Sequence, residues 1–189
     1  MGIITDYTIY HGRPADKRIP KEEAAYDLLE KAVIEFERVD HAEANTIEEC
    51  LEVDKLLEMD ICKNLFLCNS SKTAYYLLLM PGQKKFRTAE VSKQIGSSRL
   101  SFASYDDLEK MLDLTPGSVT VMGLMNDKDN RVRLLIDSDV LKEEFFGCHP
   151  MINTSSLRFK TSDLINKLLP AVNHSFIEVF LEGGQSSAN

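Results

Sequence analysis

The chain has 189 residues, 43% of them hydrophobic, which suffices for one core but would leave two independent domains each small. No apolar run approaches the ~20 residues that a membrane span needs, and the opening MGIITDYTIYHGRP has neither a basic nor an apolar leader region. A formal net charge of −8 ordinarily argues against a nucleic-acid partner, so it matters where the charges lie.

Residues 1–21, with Gly12, Pro14 and Pro20, read as an extension that lies over the fold or frays, ahead of a single domain spanning 22–182. Ala25, Leu28, Leu29, Ala32, Val33 and Phe36 recur at helical spacing and predict an amphipathic helix over 21–36. Thr46 with Glu49 is a capping box that opens a second helix through about Met59. Apolar runs at 61–68 and 74–80, joined by Asn69, Ser70, Ser71 and Lys72, predict a hairpin. Pro81 and Gly82 end it, and a basic helix follows near 88–95. Ser104 and Asp107 cap a short helix to about Leu112. LTPGSVTVMGLMND at 114–127 reads as a Gly-rich loop running into an apolar strand, and a polar turn at 127–130 leads to a strand at 131–137. A short helix near 138–143, the segment FFGCHP at 145–150, a strand at 155–160, a helix from Thr161 to about Leu169 and a strand at 176–181 follow. The tail at 183–189 is expected to be disordered. Hairpins mixed with helices in no regular βαβ order make this an α+β domain with a mixed, mostly antiparallel sheet.

Cys50, Cys62, Cys68 and Cys148 lack zinc-knuckle spacing and sit among apolar or helical residues, as reduced thiols in a cytoplasm would. His11, His41, His149 and His174 are scattered without paired ligand spacing, so neither a metal nor a cofactor is expected. The charge is uneven: residues 63–99 carry seven basic side chains against one acidic in an otherwise acidic protein. Lys72, Lys84, Lys85 and Arg87 in this stretch are either a solvated face or a landing site for a phosphate backbone. Lys63, the one basic residue in ICKNLFLC, is either a solvated first strand residue or a fixed positive charge aimed at a phosphate or an oxyanion.

KNLFL at 63–67, RLSFAS at 99–104, PGSVT with GLMND within 116–127 and GCHPMINTSSL at 147–157 resemble the freestanding prolyl-tRNA editing proteins, in the same order and spacing over about residues 22–181. Within that superfamily, which also holds the editing insertion of bacterial prolyl-tRNA synthetase, the chain is most similar to the branch that hydrolyses Ala-tRNA(Pro). The resemblance implies a sheet curved into an open barrel with flanking helices, and a cleft where the four blocks converge. It implies a partner, the acceptor end of tRNA(Pro) carrying a mischarged amino acid, with no DNA and no membrane involved. Whether prolyl-tRNA synthetase joins it in a complex stays open.

The implied reaction is hydrolysis of the aminoacyl ester, with Lys63 gripping the terminal phosphate and Asn64 positioning the substrate. Neighbours on a strand point to opposite faces, so both serve only if the strand bends or ends there. Gly117 and Gly123 let backbone N–H groups approach a ligand closely. Val121 stands where the family's loop has proline, and Ala42, after His41, stands where the family's pocket-feeding His-Pro segment has its proline. Thr46 reads as helix cap, pocket residue or both. His149 matches the family's Gly-x-His-Pro histidine, as a base or as a structural residue. Cys148 walls the pocket rather than acting as nucleophile, because adjacent residues in an extended segment face opposite ways. Asn153 belongs to the same block. A tight pocket would admit alanine and exclude the pyrrolidine ring of proline, with serine a further small candidate and cysteine less fitting. A non-catalytic aminoacyl-tRNA binder and a hydrolase of a small acylated metabolite are the rival readings.

Overall fold

The structure, a computed structural model, describes residues 7–43, 47–59 and 62–182. Two sheets share one core. The smaller has the order β1-β2-β8-β7, from β1 (Tyr10–His11), β2 (Glu37–Asp40), β8 (Ser155–Lys160) and β7 (Phe145–Cys148), all antiparallel. The larger has the order β5-β3-β4-β6-β9, from β5 (Leu100–Phe102), β3 (Cys62–Asn69), β4 (Tyr75–Pro81), β6 (Val132–Asp137) and β9 (Phe176–Val179). Its β5–β3–β4 part is antiparallel, whereas β4–β6 and β6–β9 are parallel. The mostly antiparallel α+β expectation holds, divided over two sheets that do not close into one barrel among the described residues.

The pleat sorts the core. On β4, Tyr75, Leu77 and Leu79 enter the main cluster, where Phe146, Cys148, Leu157 and Phe159 of the smaller sheet meet them. Tyr76, Leu78 and Met80 face the other way, into a second cluster with Val91 of α3 (Thr88–Gln94) and Leu100 of β5. Being covered on both faces, β4 reads as a continuous apolar run.

The first helix, α1, spans Pro20–Lys31, not 21–36. Val33, at φ +54°, reverses the chain, and N–H groups of Val33 and Ile34 donate to the carbonyls of Glu30 and Leu29. That is a Schellman cap with valine in the position glycine usually takes. Val33 and Phe36 continued the helical spacing by coincidence: Val33 is exposed, and Phe36 is buried from the turn that leads into β2. The described part of the extension, from Tyr7 on, is tied down, since β1 pairs with β2 and the Arg13 guanidinium bonds Glu23, Asp27 and Glu30 of α1.

The β3–β4 hairpin forms as expected, with Lys72 at φ +53° and Asn69 Oδ1 accepting from the N–H groups of Thr73 and Ala74. α2 runs over Ile47–Leu57, while its expected cap, Thr46, lies outside the described residues. α4 (Tyr105–Leu112) carries the Ser104 cap. α5 spans Ser138–Lys142. The helix after β8 is continuous through Thr161–Asp163, Leu164–Leu168 and Leu169–Ala171, its middle part wound as a π-helix.

The apolar strand expected near 121–127 is instead a 3₁₀ helix, Val121–Asn126. Thr120 Oγ1 accepts from the Met122 N–H and starts it, and four consecutive buried residues, Val121 to Leu124, carry no period to separate strand from helix. Gly123 is needed there: a Cβ would lie 2.6 Å from Leu114 Cδ1 and 3.2 Å from the Leu112 carbonyl. Gly123→Ala is therefore expected to lower stability by about 1–3 kcal/mol in a urea titration, the cost of overpacking.

Candidate active site

Two of the four sequence blocks, 116–127 and 147–157, meet beside the smaller sheet. Thr115 to Ser118 make a turn with Pro116 second and Gly117 third, at φ +87°, closed by Ser118 N–H on the Thr115 carbonyl at 3.0 Å. This is the type II pattern, which requires glycine there. A Cβ on Gly117 would stand 3.6 Å from Asn153 Nδ2, so the turn lies against the 149–154 loop. Thr120, fully buried, ties the two together by donating Oγ1–H to the His149 carbonyl at 2.8 Å.

His149 leaves the end of β7, and its Nδ1 is 2.9 Å from the Ser155 carbonyl. A carbonyl only accepts, so Nδ1 carries the proton and Nε2 keeps its lone pair in the neutral ring. His41 lies edge-on to it, ring centroids 6.4 Å apart. The same logic applies to His41: Nδ1–H donates to the Ala42 carbonyl at 2.7 Å, and Nε2 accepts from Ser156 Oγ at 2.9 Å. Burial lowers the pKa of both rings, and for His149 the neighbouring His41 lowers it further against the opposing Ser155 carbonyl. Both are neutral at pH 7.

These depressed pKa values have a consequence for stability. The unfolded chain binds protons to the two imidazoles before the folded one does, so stability is full above the ordinary histidine value of about 6.5 and falls as pH drops through it. The urea midpoint is expected to be lower at pH 5.5 than at 7.5, with a smaller difference in His149→Asn.

Beneath the histidines, Asp40 accepts from Arg18 at 2.7 Å and from Arg38. Burial alone would raise the Asp40 pKa, but the two guanidiniums hold it below the usual carboxylate value. Arg18 belongs to the N-terminal extension, so that segment braces the strand that carries His41.

Lys63 and Asn64 occupy the start of β3 and leave it on opposite faces. Asn64 shares its face with Cys62 and Phe66 of the main core, whereas Lys63 shares the face of Leu65 and Leu67. Asn64 Nδ2 donates to the Cys62 carbonyl at 3.1 Å, and its Oδ1 is buried without a partner among the described residues. Lys63, exposed, donates Nζ–H to the Lys84 carbonyl at 3.2 Å.

Other sequence expectations are displaced. Val121 is fully buried in the main core, not on a ligand-facing surface. Gly123 N–H already donates to the Thr120 carbonyl at 3.1 Å, so it is not free to bind a ligand. Cys148 is buried in the core and burial pushes its thiol pKa strongly up, which makes it inert. Lys84 is no surface cation: its Nζ is held by Asp137 at 3.0 Å, Asp139 at 2.7 Å and the Leu181 carbonyl at 2.8 Å. Lys72 and Lys85 are exposed, and Arg87 is exposed beside Glu90 at 3.2 Å.

The structure thus gathers His149, Asn153 and Gly117, and adds His41 and Thr120, which sequence reading did not assign to the site. A threonine directly before a buried apolar run was the available signal for Thr120. A cleft of about 910 Å³ opens elsewhere, between the end of α1, β2 and β8, and neither His149 nor Lys63 lines it.

Residues 41–167 match the family described as the aminoacyl-tRNA editing domain. The chain is 30% identical over 155 residues to the prolyl-tRNA editing protein ProX of Acetoanaerobium sticklandii, covering 82% of this chain and 94% of that protein. It is 29% identical over 141 residues to prolyl-tRNA synthetase associated domain-containing protein 1 of Bos taurus, 72% of this chain and 82% of that one. A crystal structure described as a candidate trans-editing enzyme for prolyl tRNA synthetase superposes with a TM-score of 0.64 at 14% identity, over 88% of this chain and all of the other, a likeness of fold.

Proposed function

Because the chain belongs to the aminoacyl-tRNA editing domain family, we propose that it is a trans-editing hydrolase that deacylates Ala-tRNA(Pro) and spares Pro-tRNA(Pro). The observation that carries this reading is the His149 tautomer: Nδ1–H is committed to the Ser155 carbonyl, which leaves Nε2 as an acceptor on a loop that packs against the Gly117 turn through Asn153. The name of the 30% identical relative, a prolyl-tRNA editing protein, supports the choice of tRNA.

In the proposed reaction a water oxygen attacks the ester carbonyl carbon while its proton passes toward His149 Nε2. The Gly117 amide stabilises the resulting oxyanion. The bond from that carbon to the ribose oxygen then breaks, and the ribose hydroxyl leaves with a proton, freeing alanine. On the face of β3 toward the main core, Asn64 Oδ1, without a partner among the described residues, accepts from the substrate ammonium, while Lys63 on the opposite face holds a phosphate of the tRNA end as a point charge, outside the reacting centre. Thr120 and Asn153 position the two loops, and the buried Cys148 backs the pocket.

Selection is by size: the pocket admits a methyl side chain and the pyrrolidine ring clashes. Offering Ala-, Cys- and Pro-tRNA(Pro) in parallel tests this, with alanine released and proline retained; equal loss of proline would end the size argument. With His149 as base, the acid limb of the rate is expected below the ordinary histidine value of about 6.5, since burial lowers the folded pKa. His149→Asn should abolish that acid limb; an unchanged limb assigns it to another group.

A further inference from the structure

β5 is the edge strand of the larger sheet, and Phe102 at its end is 65% exposed. Phe102 shares the pleat side of Leu100, which belongs to the second cluster, and Phe86 packs against that same cluster. The two rings meet edge-on, centroids 6.1 Å apart with 63° between planes. Phe86 is anchored, so Phe102 is held by its contact with Phe86 and offers a fixed ring face to solvent.

Single exposed aromatics are ordinary on protein surfaces. This pair is distinguished by what flanks it. Lys85 and Arg87 sit either side of Phe86 and are exposed. Lys63 leaves β3 on the same face of the sheet and bonds the carbonyl of Lys84, two residues before Phe86. Across residues 63–99 the only acidic residue is Glu90, in a chain of net charge −8, so a polyanion is drawn to this patch and repelled by most of the remaining surface. Aromatic faces interleaved with cations are how proteins hold unpaired nucleotides: cations track the phosphates and bases stack on the rings.

We propose that Phe102 and Phe86 form a stacking platform for the unpaired bases at the 3′ end of the tRNA, leading the terminal phosphate to Lys63. This rests on the reading of the substrate as an aminoacyl-tRNA. The platform is a binding element and takes no part in the chemistry.

The test uses the full chain and a tRNA(Pro) acceptor-end RNA with 2-aminopurine in the unpaired 3′ tail, whose fluorescence is quenched on stacking, together with kinetics on Ala-tRNA(Pro). Wild type and Phe102→Tyr are expected to quench. Phe102→Leu, which keeps apolar bulk without a ring, should lose the quenching and raise KM about tenfold at nearly constant kcat, the scale of one lost stacking contact. Phe180→Ala, which removes a 63% exposed ring beyond the opposite edge strand, should behave as wild type. If wild type deacylates and Phe102→Leu matches it in both readouts, the platform is wrong. It is equally wrong if wild type never quenches, and an exposed Phe102 then marks a protein contact instead. If quenching depends on the Phe102 ring but no ester is cleaved, the platform stands and the hydrolase reading falls.

Discussion

Replacing Lys84 by methionine is expected to cost about 3–5 kcal/mol of stability, enough to unfold much of the population of an ordinary domain. Lys84 is 9% exposed and Asp137 fully buried, and the ammonium is shared by Asp137, Asp139 and the Leu181 carbonyl. Removing it strands a buried carboxylate that also caps α5 through the Asp139 N–H at 2.9 Å. Burial would lower the Lys84 pKa, but the carboxylates outweigh it and raise it, so the ion pair persists through neutral pH. The cluster also joins the ends of β6 and β9 to the turn after β4, so its loss loosens the larger sheet at the end where Lys63 sits. Urea denaturation of Lys84→Met beside Lys85→Ala checks this: the first should shift the midpoint strongly and the second hardly at all. Equal midpoints would show that the cluster contributes nothing.

Replacing Lys63 by alanine is expected to lower kcat/KM for Ala-tRNA(Pro) by about 100- to 1,000-fold while leaving the fold intact, a loss of the size seen when one preorganised charge-stabilising donor is removed. The side chain is exposed and its one hydrogen bond among the described residues is to the Lys84 carbonyl, so little packing is lost. Lys63→Arg should restore only part of the rate, because a planar fork does not reproduce a compact ammonium. A Lys63→Ala rate within threefold of wild type would remove the residue from the mechanism.

Local chemistry made much of the fold legible. The β3–β4 hairpin, the Ser104 cap and the polar turn at Asp127, where the carboxylate accepts from the N–H groups of Arg131 and Val132, follow from neighbouring residues. What escaped depends on partners distant in sequence. β1 and β2 are two and four residues long and gain their identity only by pairing with each other and with β8. Val121–Asn126 opens with four consecutive buried residues, Val121 to Leu124, which erases its period. The parallel β4–β6 and β6–β9 pairs arise from crossovers that no short window reveals.

The site divides in the same way. His149, Gly117 and Asn153 were legible because each sits in a distinctive local block. Lys84 was misjudged because charge counts do not say whether a cation meets water or a carboxylate, and its carboxylate lies 53 residues away. His41 was visible as a residue but not as a neighbour of His149, since β2 and β7 are brought together only through β8.

The most direct measurement is release of alanine from Ala-tRNA(Pro) by excess wild-type protein at neutral pH, timed against the same substrate in buffer. The proposed mechanism requires the ester to be lost far faster with protein than without it. Equal rates would contradict the hydrolase reading and leave the chain a binding member of its family.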